Sequence, residues 1–518
     1  MFTTFTSVRA ELLAISENFA TGIPLSETSV TTAPAEAGVD NTKRNGLVIN
    51  LMLVATFVVF LNETIISVAV PAVMADLKIP ASTAQWLSTA FMLTMAVVIP
   101  TTGFLMQRLN TRTVFILAMS LFTAGTAIAA MAPGFEILLA GRVVQASGTA
   151  IMMPLLMTTV MTLVPPHARG KTMGNISIVM SVAPALGPAI GGAIVQGLHW
   201  RFIFIIVLPI PIAALVRGAL RVKTVPEPRA VPLDVLSVIL SAFAFGGLIY
   251  GLSSLGEAAA GTAPISPWIP LVVGGASLVL FIVRQLVLQK GDRAFLDLRT
   301  FTSRGFTVAI VLMVVMMGAL FGTVFLLPIY TQKVLGLEPA LSGLILVPGS
   351  LLMGVAGPFI GRLYDKVGPR VLIVPGAVVV SAALWGFYLL LGEGTPWGVV
   401  LGLHVFLSLG LAFMFTPLFT SSMASLNPRL YSYGSATIAT TQQLAGAAGT
   451  ALFVALFTIG TLSVGSNPDG VAAEAVGVHN AFMAGAIISL LAIVAAFFVP
   501  KPVEFEHPEG ADAGFGGH

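Results

Sequence analysis

The stretch LVINLMLVATFVVFLNETIISVAVP, residues 47–71, decides the fold class of this chain. At about 1.5 Å of helix rise per residue, it is long enough to cross a hydrocarbon core of roughly 30 Å. Its one acid, Glu63, follows Asn62 and lies about 12 Å from the Pro71 end of a helix. A carboxylate at that depth costs about 2.5–3.5 kcal/mol to insert. Glu63 is therefore expected to face protein or water, to be paired or to be protonated, and a group that changes charge there can sense protons.

The composition places the whole chain in a membrane. Of its 518 residues, 56% are hydrophobic and 9% are charged, whereas about 25% of a soluble protein is charged. The 25 Lys and Arg residues nearly balance the 22 Asp and Glu residues, which argues against nucleic acid as a partner. The absence of cysteine excludes disulfides and thiolate metal sites.

Apolar segments predict an all-α polytopic protein with fourteen transmembrane helices, here called spans 1 to 14. A polar tail, residues 1–45, comes before them, and a short tail, residues 501–518, comes after them. The spans lie at roughly 47–72, 83–106, 113–132, 136–163, 173–196, 201–220, 235–254, 268–288, 306–331, 339–362, 371–391, 397–421, 435–461 and 479–499.

The basic residues of the short loops predict the orientation. They lie on one side of the membrane, with the exceptions of Lys78, Arg201 and Lys333. This bias requires an even number of spans and places both termini in the cytoplasm of a cell whose plasma membrane holds the protein.

The chain also repeats itself. Gly103 and Gly361 are 258 residues apart, as are Gly191 and Gly449. We therefore expect two six-helix bundles, residues 46–222 and 291–500, with a linker and an inserted hairpin of spans 7 and 8 at residues 223–290. Two parallel halves of six spans are the plan of the major facilitator fold.

Two loops at equivalent places in the halves carry a shared motif. The loop GRLYDKVGPR after span 10 resembles the major facilitator signature G-x-x-x-D-R/K-x-G-x-R, and GFLMQRLNTR after span 2 is its counterpart. The resemblance implies loops that clasp neighbouring helices in one conformation and release them in the other; an ordinary basic loop is the alternative. The candidate gating residues are Gly361, Arg362, Asp365, Lys366, Gly368, Arg370, Gly103, Gln107, Arg108 and Arg112. Gln107 stands where the signature has an acid, so the clasp of the first loop is expected to rest on neutral hydrogen bonds together with Arg108 and Arg112.

Span 4 carries Arg142 and Gln145 on one helix face, similar to the R-x-x-Q-G-x-G pattern of the same family. Counted from Glu136, Arg142 lies about 9 Å deep, near the level of Glu63. Arg142 would favour the carboxylate when it is close, and desolvation would favour the neutral acid when the two separate. Glu63 and Arg142 are thus the predicted proton-coupling pair, and a static ion pair is the alternative.

Span 5 reads SVAPALGPAIGGAI and resembles the antiporter signature G-x-x-x-G-P-x-x-G-G of drug exporters, with Ala183 at the first small position. The resemblance implies a flexible, closely packed helix between the halves. A plain packing face of small residues is the alternative. The residues of the motif are Pro184, Gly187, Pro188, Gly191 and Gly192.

The sequence LNET around Glu63, together with the Gln-Arg loop after span 2, looks like the lincomycin-resistance type of fourteen-span drug:proton antiporter. Candidate residues of a substrate cavity are Asn62, Gln145, His404 and Gln443, although a packed structural role fits His404 equally well.

No phosphate-binding G-x-x-x-x-G-K-S/T motif occurs, so ATP is not expected to drive transport directly. No catalytic triad or metal cluster stands out, and neither an enzyme nor a cofactor is predicted; the energy source would be a proton gradient. The predicted partners are membrane lipid, small lipophilic substrates and protons, with no nucleic acid, and the protein is expected to be a monomer.

The sequence therefore predicts proton-coupled efflux of lipophilic drugs or toxic compounds by alternating access. Three hypotheses stay open beside it: a metabolite symporter of the same fold, an exporter of a lipid or cell-envelope precursor, and a receptor or assembly factor that transports nothing. Replacing Glu63 by Gln discriminates the last of these, because an unchanged phenotype would mean a role without proton coupling.

Overall fold

The computed structural model describes residues 36–221, 232, 234–259, 265–464 and 470–500. Residues 1–35 of the predicted N-terminal tail, the whole of the predicted C-terminal tail and most of the linker before span 7 lie outside the described residues. Residues 44–500 belong to one compact unit. All the packing below lies within residues 44–500.

Fourteen helical segments of the described ranges are long and apolar enough to cross a membrane, which confirms the predicted number. Every regular element that these ranges contain is helical. In chain order the spans are Glu36–Leu77, Ala81–Arg108, Thr111–Ala130, Phe135–Leu163, Arg169–Gly197, Phe202–Val207 with Pro209–Arg221, Val235–Ser241 with the π-helical Ala242–Gly246 and Gly247–Ala259, Trp268–Leu288, Arg304–Ile329 with the π-helical Tyr330–Val334, Pro339–Val367, Arg370–Leu390, Trp397–Ala424, Tyr431–Ser463 and Val471–Ala496. Short 3₁₀ turns lie at Pro166–Ala168, Gln289–Gly291, Leu298–Thr302 and Pro428–Leu430.

Span 1 is longer than the sequence predicts. We expected it to end near Pro71, but the helix contains Pro71 and ends at Leu77. A proline in a membrane helix is tolerated where neighbouring groups satisfy the freed carbonyl. Lys78 then takes a left-handed backbone, with φ of 50°. Glu63 therefore lies about 21 Å from this end of the helix, whereas the sequence estimate was about 12 Å.

Glycines bring the two halves into backbone contact at one end of the bundle. We call this the loop end, because it carries residues 103–112 and 361–370. A Cβ built on Gly361 of span 10 would collide with the carbonyl oxygen of Gly170 in span 5, and a Cβ on Gly357 would lie 2.7 Å from the carbonyl oxygen of Gly174. We call this contact between spans 5 and 10 a seam. An equivalent seam joins spans 2 and 13, where a Cβ on Gly103 would lie 3.3 Å from a backbone oxygen of span 13. The two seams are related as the 258-residue repeat predicts.

The inserted hairpin, spans 7 and 8, packs beside the seam between spans 2 and 13. Tyr250 of span 7 stacks on Trp86 of span 2, with ring centroids 6.2 Å apart. A buried cluster joins residues of span 2, both hairpin helices, the segment before span 9 and span 13, namely Ala96, Phe104, Phe245, Ile249, Phe281, Phe295, Leu296, Tyr433, Ala436 and Ala447. Span 8 leaves apolar side chains such as Val272 and Val287 exposed, as suits a helix against lipid.

A polar network ties the hairpin to the rest of the second half. Asp234, at the start of span 7, accepts hydrogen bonds at 2.7 and 2.6 Å from the guanidinium of Arg284 in span 8. The next residue of span 8, Gln285, accepts backbone hydrogen bonds from Phe295 at 2.8 Å and Leu296 at 3.2 Å. The Arg284 guanidinium, with the Ser237 hydroxyl and backbone N–H, lowers the pKa of the Asp234 carboxyl to about 2.

We expect Asp234→Asn to lower the thermal stability of the protein at neutral pH. The depressed pKa means that ionised Asp234 stabilises the fold at pH values above its unfolded pKa of about 3.9 and that this stabilisation, about 2 kcal/mol, is lost as the pH falls toward 2. Thermal unfolding in detergent at pH 7 and pH 3 measures this stabilisation, and the difference in melting temperature between wild type and variant should be smaller at pH 3. The control is Asp292→Asn, because Asp292 is 79% exposed in its pair with Arg299 and such pairs contribute little. Equal stability at pH 7 would contradict the prediction.

Candidate functional site

Arg142 lies inside the first half, and its hydrogen-bond partners are neutral. Its side chain is 1% exposed. Nη1 donates to Oε1 of Gln145 at 2.7 Å and to Oδ1 of Asn62 at 3.5 Å, and Nε donates to the carbonyl oxygen of Leu87 at 3.5 Å. The guanidinium carbon lies 4.1 Å from the centre of the Phe91 ring. The predicted residues Asn62, Arg142 and Gln145 are thus brought together.

Small residues on spans 3 and 4 hold this cluster in position. A Cβ on Gly125 of span 3 would collide with the backbone nitrogen of Gln145, and a Cβ on Gly148 would collide with the carbonyl oxygen of Ala118. The close approach lets Gln145 donate from Nε2 to the Thr126 hydroxyl at 2.7 Å. That bond turns Oε1 of the Gln145 amide toward Arg142.

Glu63 lies next to this cluster without a direct ion pair. Among the described residues, the nitrogens of Arg142 and the carboxylate oxygens of Glu63 do not form an ion pair within 4.0 Å. The two side chains nevertheless interact electrostatically. A buried guanidinium is costly unless it is compensated, and Glu63 is the acid in position to do so. Asn62 is completely buried, and its Nδ2 has no partner among the described residues. A donor without a partner at such a site calls for an explanation.

The glycines of the span 5 motif pack against span 1 directly beside Glu63. A Cβ on Gly187 would collide with the hydroxyl of Thr64, and a Cβ on Gly191 would lie 2.8 Å from the carbonyl oxygen of Ile65. The same helix also contacts the second half, where a Cβ on Gly354 of span 10 would collide with Val182 beside the motif, and nearer the loop end through Gly170 and Gly174. Span 5 therefore links the acid to the seam through one continuous helix.

Gly187→Ala is expected to disturb the turn that holds Glu63. The added methyl group has no room beside Thr64, and overpacking of this kind costs about 1–3 kcal/mol. The matched control is Gly197→Ala in the same helix, where a Cβ would meet nothing within 4 Å. Thermal unfolding and proton flux in vesicles measure the effect. We expect lower stability and lower flux in Gly187→Ala and wild-type behaviour in Gly197→Ala; similar behaviour of both variants would contradict the argument.

The second loop caps a helix across the seam. Asp365 accepts hydrogen bonds from the backbone nitrogens of Gly170 at 2.8 Å and Lys171 at 2.9 Å, the first residues of span 5. A carboxylate stabilises a helix N-terminus through its free N–H groups and its dipole. Gly368 has φ of 80° and makes the turn into span 11. The clasp is therefore formed in this conformation.

The first loop forms its clasp with neutral groups, as its sequence predicts. Gln107 donates from Nε2 to the Ser432 hydroxyl at 2.7 Å and to the carbonyl oxygen of Arg429 at 3.2 Å. Arg112 donates to the carbonyl oxygen of Ala219 at 2.5 Å and so holds span 6 of its own half.

The remaining predicted cavity residues, His404 and Gln443, are not among the hydrogen-bond partners of Arg142. His404 is 2% exposed and packs in the second half, where a Cβ on Gly349 would lie 2.5 Å from its Nδ1. Gln443 lines a cavity of about 250 Å³ between span 2, the hairpin and spans 9 and 13. The lining residues are Met92, Leu252, Ser253, Phe321, Phe325, Gln443, Gly446, Ala447, Thr450, Ala451 and Val454.

Sequence reasoning missed Phe91 and Thr126, which complete the surroundings of Arg142 and Gln145. Neither residue belongs to a motif, and their roles depend on which faces of spans 2 and 3 turn toward span 4. It also missed the partner of Trp200, just before span 6. The Trp200 indole donates to Asp76 at 2.9 Å, and Arg201 pairs with the same carboxylate at 2.8 Å.

Comparison with known proteins agrees with this architecture. The family model described as Major Facilitator Superfamily matches residues 52–450. The chain is 38% identical to the uncharacterised MFS-type transporter YcnB of Bacillus subtilis (strain 168), over 88% of this chain and 95% of the relative. It is 36% identical to the lincomycin resistance protein LmrB of the same organism, over 88% of this chain and 96% of LmrB. Its structure resembles the proton:xylose symporter XylE with a TM-score of 0.60 at 14% identity, over 89% of this chain and 97% of XylE.

Proposed function

The chain belongs to the Major Facilitator Superfamily, and we propose that it exports lipophilic compounds across the plasma membrane in exchange for protons entering the cell. The observation that carries the proposal is the position of Glu63 beside Arg142, a buried guanidinium with neutral hydrogen-bond partners. The nearby guanidinium favours the carboxylate anion, whereas desolvation favours the neutral acid. A small movement that shifts the balance between these two effects changes whether Glu63 carries a proton.

The two seams supply the movement. With the termini in the cytoplasm, as the basic loops predict, the loop end faces the cytoplasm. Its contacts, at Asp365 and Gln107, then close that side, and the protein faces outward. Opening the loop end separates span 5 from span 10, and span 5 also touches span 1 beside Glu63. Protonation and alternating access are thereby linked through one helix, and the coupling is a difference in binding free energy between two states.

Inside-out membrane vesicles with an acidified lumen test the proposal. A compound transported into the lumen by exchange releases protons and relieves the quenching of a lumenal pH dye. Lincomycin comes first in the panel because a relative 36% identical is named for resistance to it. A dye response to at least one compound, absent from vesicles without the protein, supports exchange. Uptake together with protons would instead identify a symporter of the same fold.

A further inference from the structure

The residues that line the cavity at Gln443 do not include Arg142 or its hydrogen-bond partners, although Met95, which Gln443 contacts, packs in one buried cluster with Phe91. Gln443 is twelve residues along span 13 from Tyr431, or about 18 Å from the loop end, and Val454 lies about 17 Å farther along the same helix. The cavity therefore extends from the middle of the bundle toward the end opposite the loop end. Its walls come from the first half, the second half and the inserted hairpin.

The chemistry of the walls favours an apolar ligand with one polar group. Most of the lining is aliphatic, aromatic or thioether, including Met92, Phe321 and Phe325. The amide of Gln443 is the largest polar group, and its described hydrogen-bond acceptor is the sulfur of Met95 at 3.8 Å. A thioether is a weak acceptor, so a ligand oxygen would be a better partner for this amide. The volume of about 250 Å³ is slightly below that of drug-sized pockets.

Span 7 of the hairpin forms the outer wall of the cavity. Ser253 of span 7 is exposed and also lines the cavity, and the neighbouring turn of span 7 is held on span 2 by the stack of Tyr250 on Trp86. Span 7 also exposes apolar side chains, such as Ile239 and Phe243, as a helix against lipid does. A ligand that enters the cavity alongside span 7 would therefore come from the membrane.

We propose that this cavity is a second binding site, which takes a lipophilic molecule carrying one hydrogen-bonding polar group from the membrane beside span 7. The polar group binds the Gln443 amide, and the apolar body contacts Phe321, Phe325 and Leu252. Because spans 2 and 13 belong to different halves, an occupant biases the equilibrium between conformations that change their separation. The proposal does not rest on proton exchange, since the site can be occupied whether or not Glu63 carries protons.

Photolabelling of the purified full-length protein in lipid nanodiscs tests the site. One probe is a long-chain aliphatic alcohol bearing a diazirine, and a second is a phospholipid with the diazirine on its acyl chain. Mass spectrometry should map labels to spans 7 and 13 around Leu252 and Gln443. Labelling by the alcohol identifies a free lipophile as the source, and labelling by the phospholipid alone identifies a lipid; both support the site.

The variants separate the cavity from the general lipid-facing surface. Ser253→Phe fills the cavity from the hairpin and should abolish labelling there, and Thr450→Leu fills it from span 13 if the first variant unfolds. Val272→Phe, which adds the same ring on the 67% exposed face of span 8, should leave the labelling unchanged. Gln443→Leu should reduce labelling by the alcohol and not by a diazirine hydrocarbon of equal length. Labels confined to span 8, or labels in spans 7 and 13 that persist in both filled variants, would overturn the proposal.

Discussion

Replacing Glu63 by Gln is expected to abolish substrate-driven proton movement in reconstituted vesicles while the protein stays folded. Gln has nearly the volume of Glu and remains polar, so the packing of this turn of span 1 against span 5 is preserved. It cannot exchange a proton, and Arg142 then keeps only neutral partners. The free-energy difference between the states with an open and a closed loop end then no longer depends on proton binding. A pH gradient therefore cannot drive net export. The dye response to substrate should fall to that of vesicles without protein at every pH examined.

The control is Glu136→Gln, which removes an exposed acid from the first turn of span 4 in the same half. It should give the wild-type response. Exchange of labelled for unlabelled substrate without a pH gradient should survive in Glu63→Gln, because binding and alternating access do not require the charge. A full dye response from Glu63→Gln would eliminate this residue as the proton carrier. Loss of both proton flux and exchange would mean that the substitution had disturbed binding.

The sequence predicted those features that depend on one residue in one helix or turn. Fourteen apolar segments follow from length and hydrophobicity, and the glycine and the acid that the loop signature marks, Gly368 and Asp365, form the turn and the helix cap. The neutral clasp at Gln107 could be predicted for the same reason, since the substituted residue keeps a donor.

Features that depend on two helices meeting could not be predicted in the same way. The sequence marks Gly187 and Gly191 as a close-packing face, but it does not say that this face meets span 1 and not span 10. Likewise, the depth of Arg142 says nothing about which neutral groups surround it, because Leu87 offers a backbone oxygen that every residue has. The hairpin sits at the seam of spans 2 and 13 through aromatic contacts scattered over five elements, which no local pattern reveals.

Gly361→Ala is expected to shift the protein toward the conformation with an open loop end. A Cβ at position 361 would collide with the backbone carbonyl of Gly170, and a backbone atom cannot rotate away as a side chain can. Overpacking costs about 1–3 kcal/mol. This cost applies only where spans 5 and 10 touch, so the ratio of the two states should change about 5–150-fold. Transport should fall because the closed state of the loop end becomes rare.

The absence of cysteine makes this shift measurable without removing native thiols. Cysteines introduced at exposed Thr162 and Thr302, one in each half near the loop end, can carry spin labels whose distance distribution reports the opening. Gly361→Ala should lengthen the dominant distance. Gly343→Ala, in the same helix but with nothing within 4 Å of its Cβ, should leave it unchanged. If Gly361→Ala keeps the short distance and full transport, the backbone contact between Gly361 and Gly170 does not hold the loop end closed, and the free-energy difference between the states must reside in the Asp365 and Gln107 hydrogen bonds.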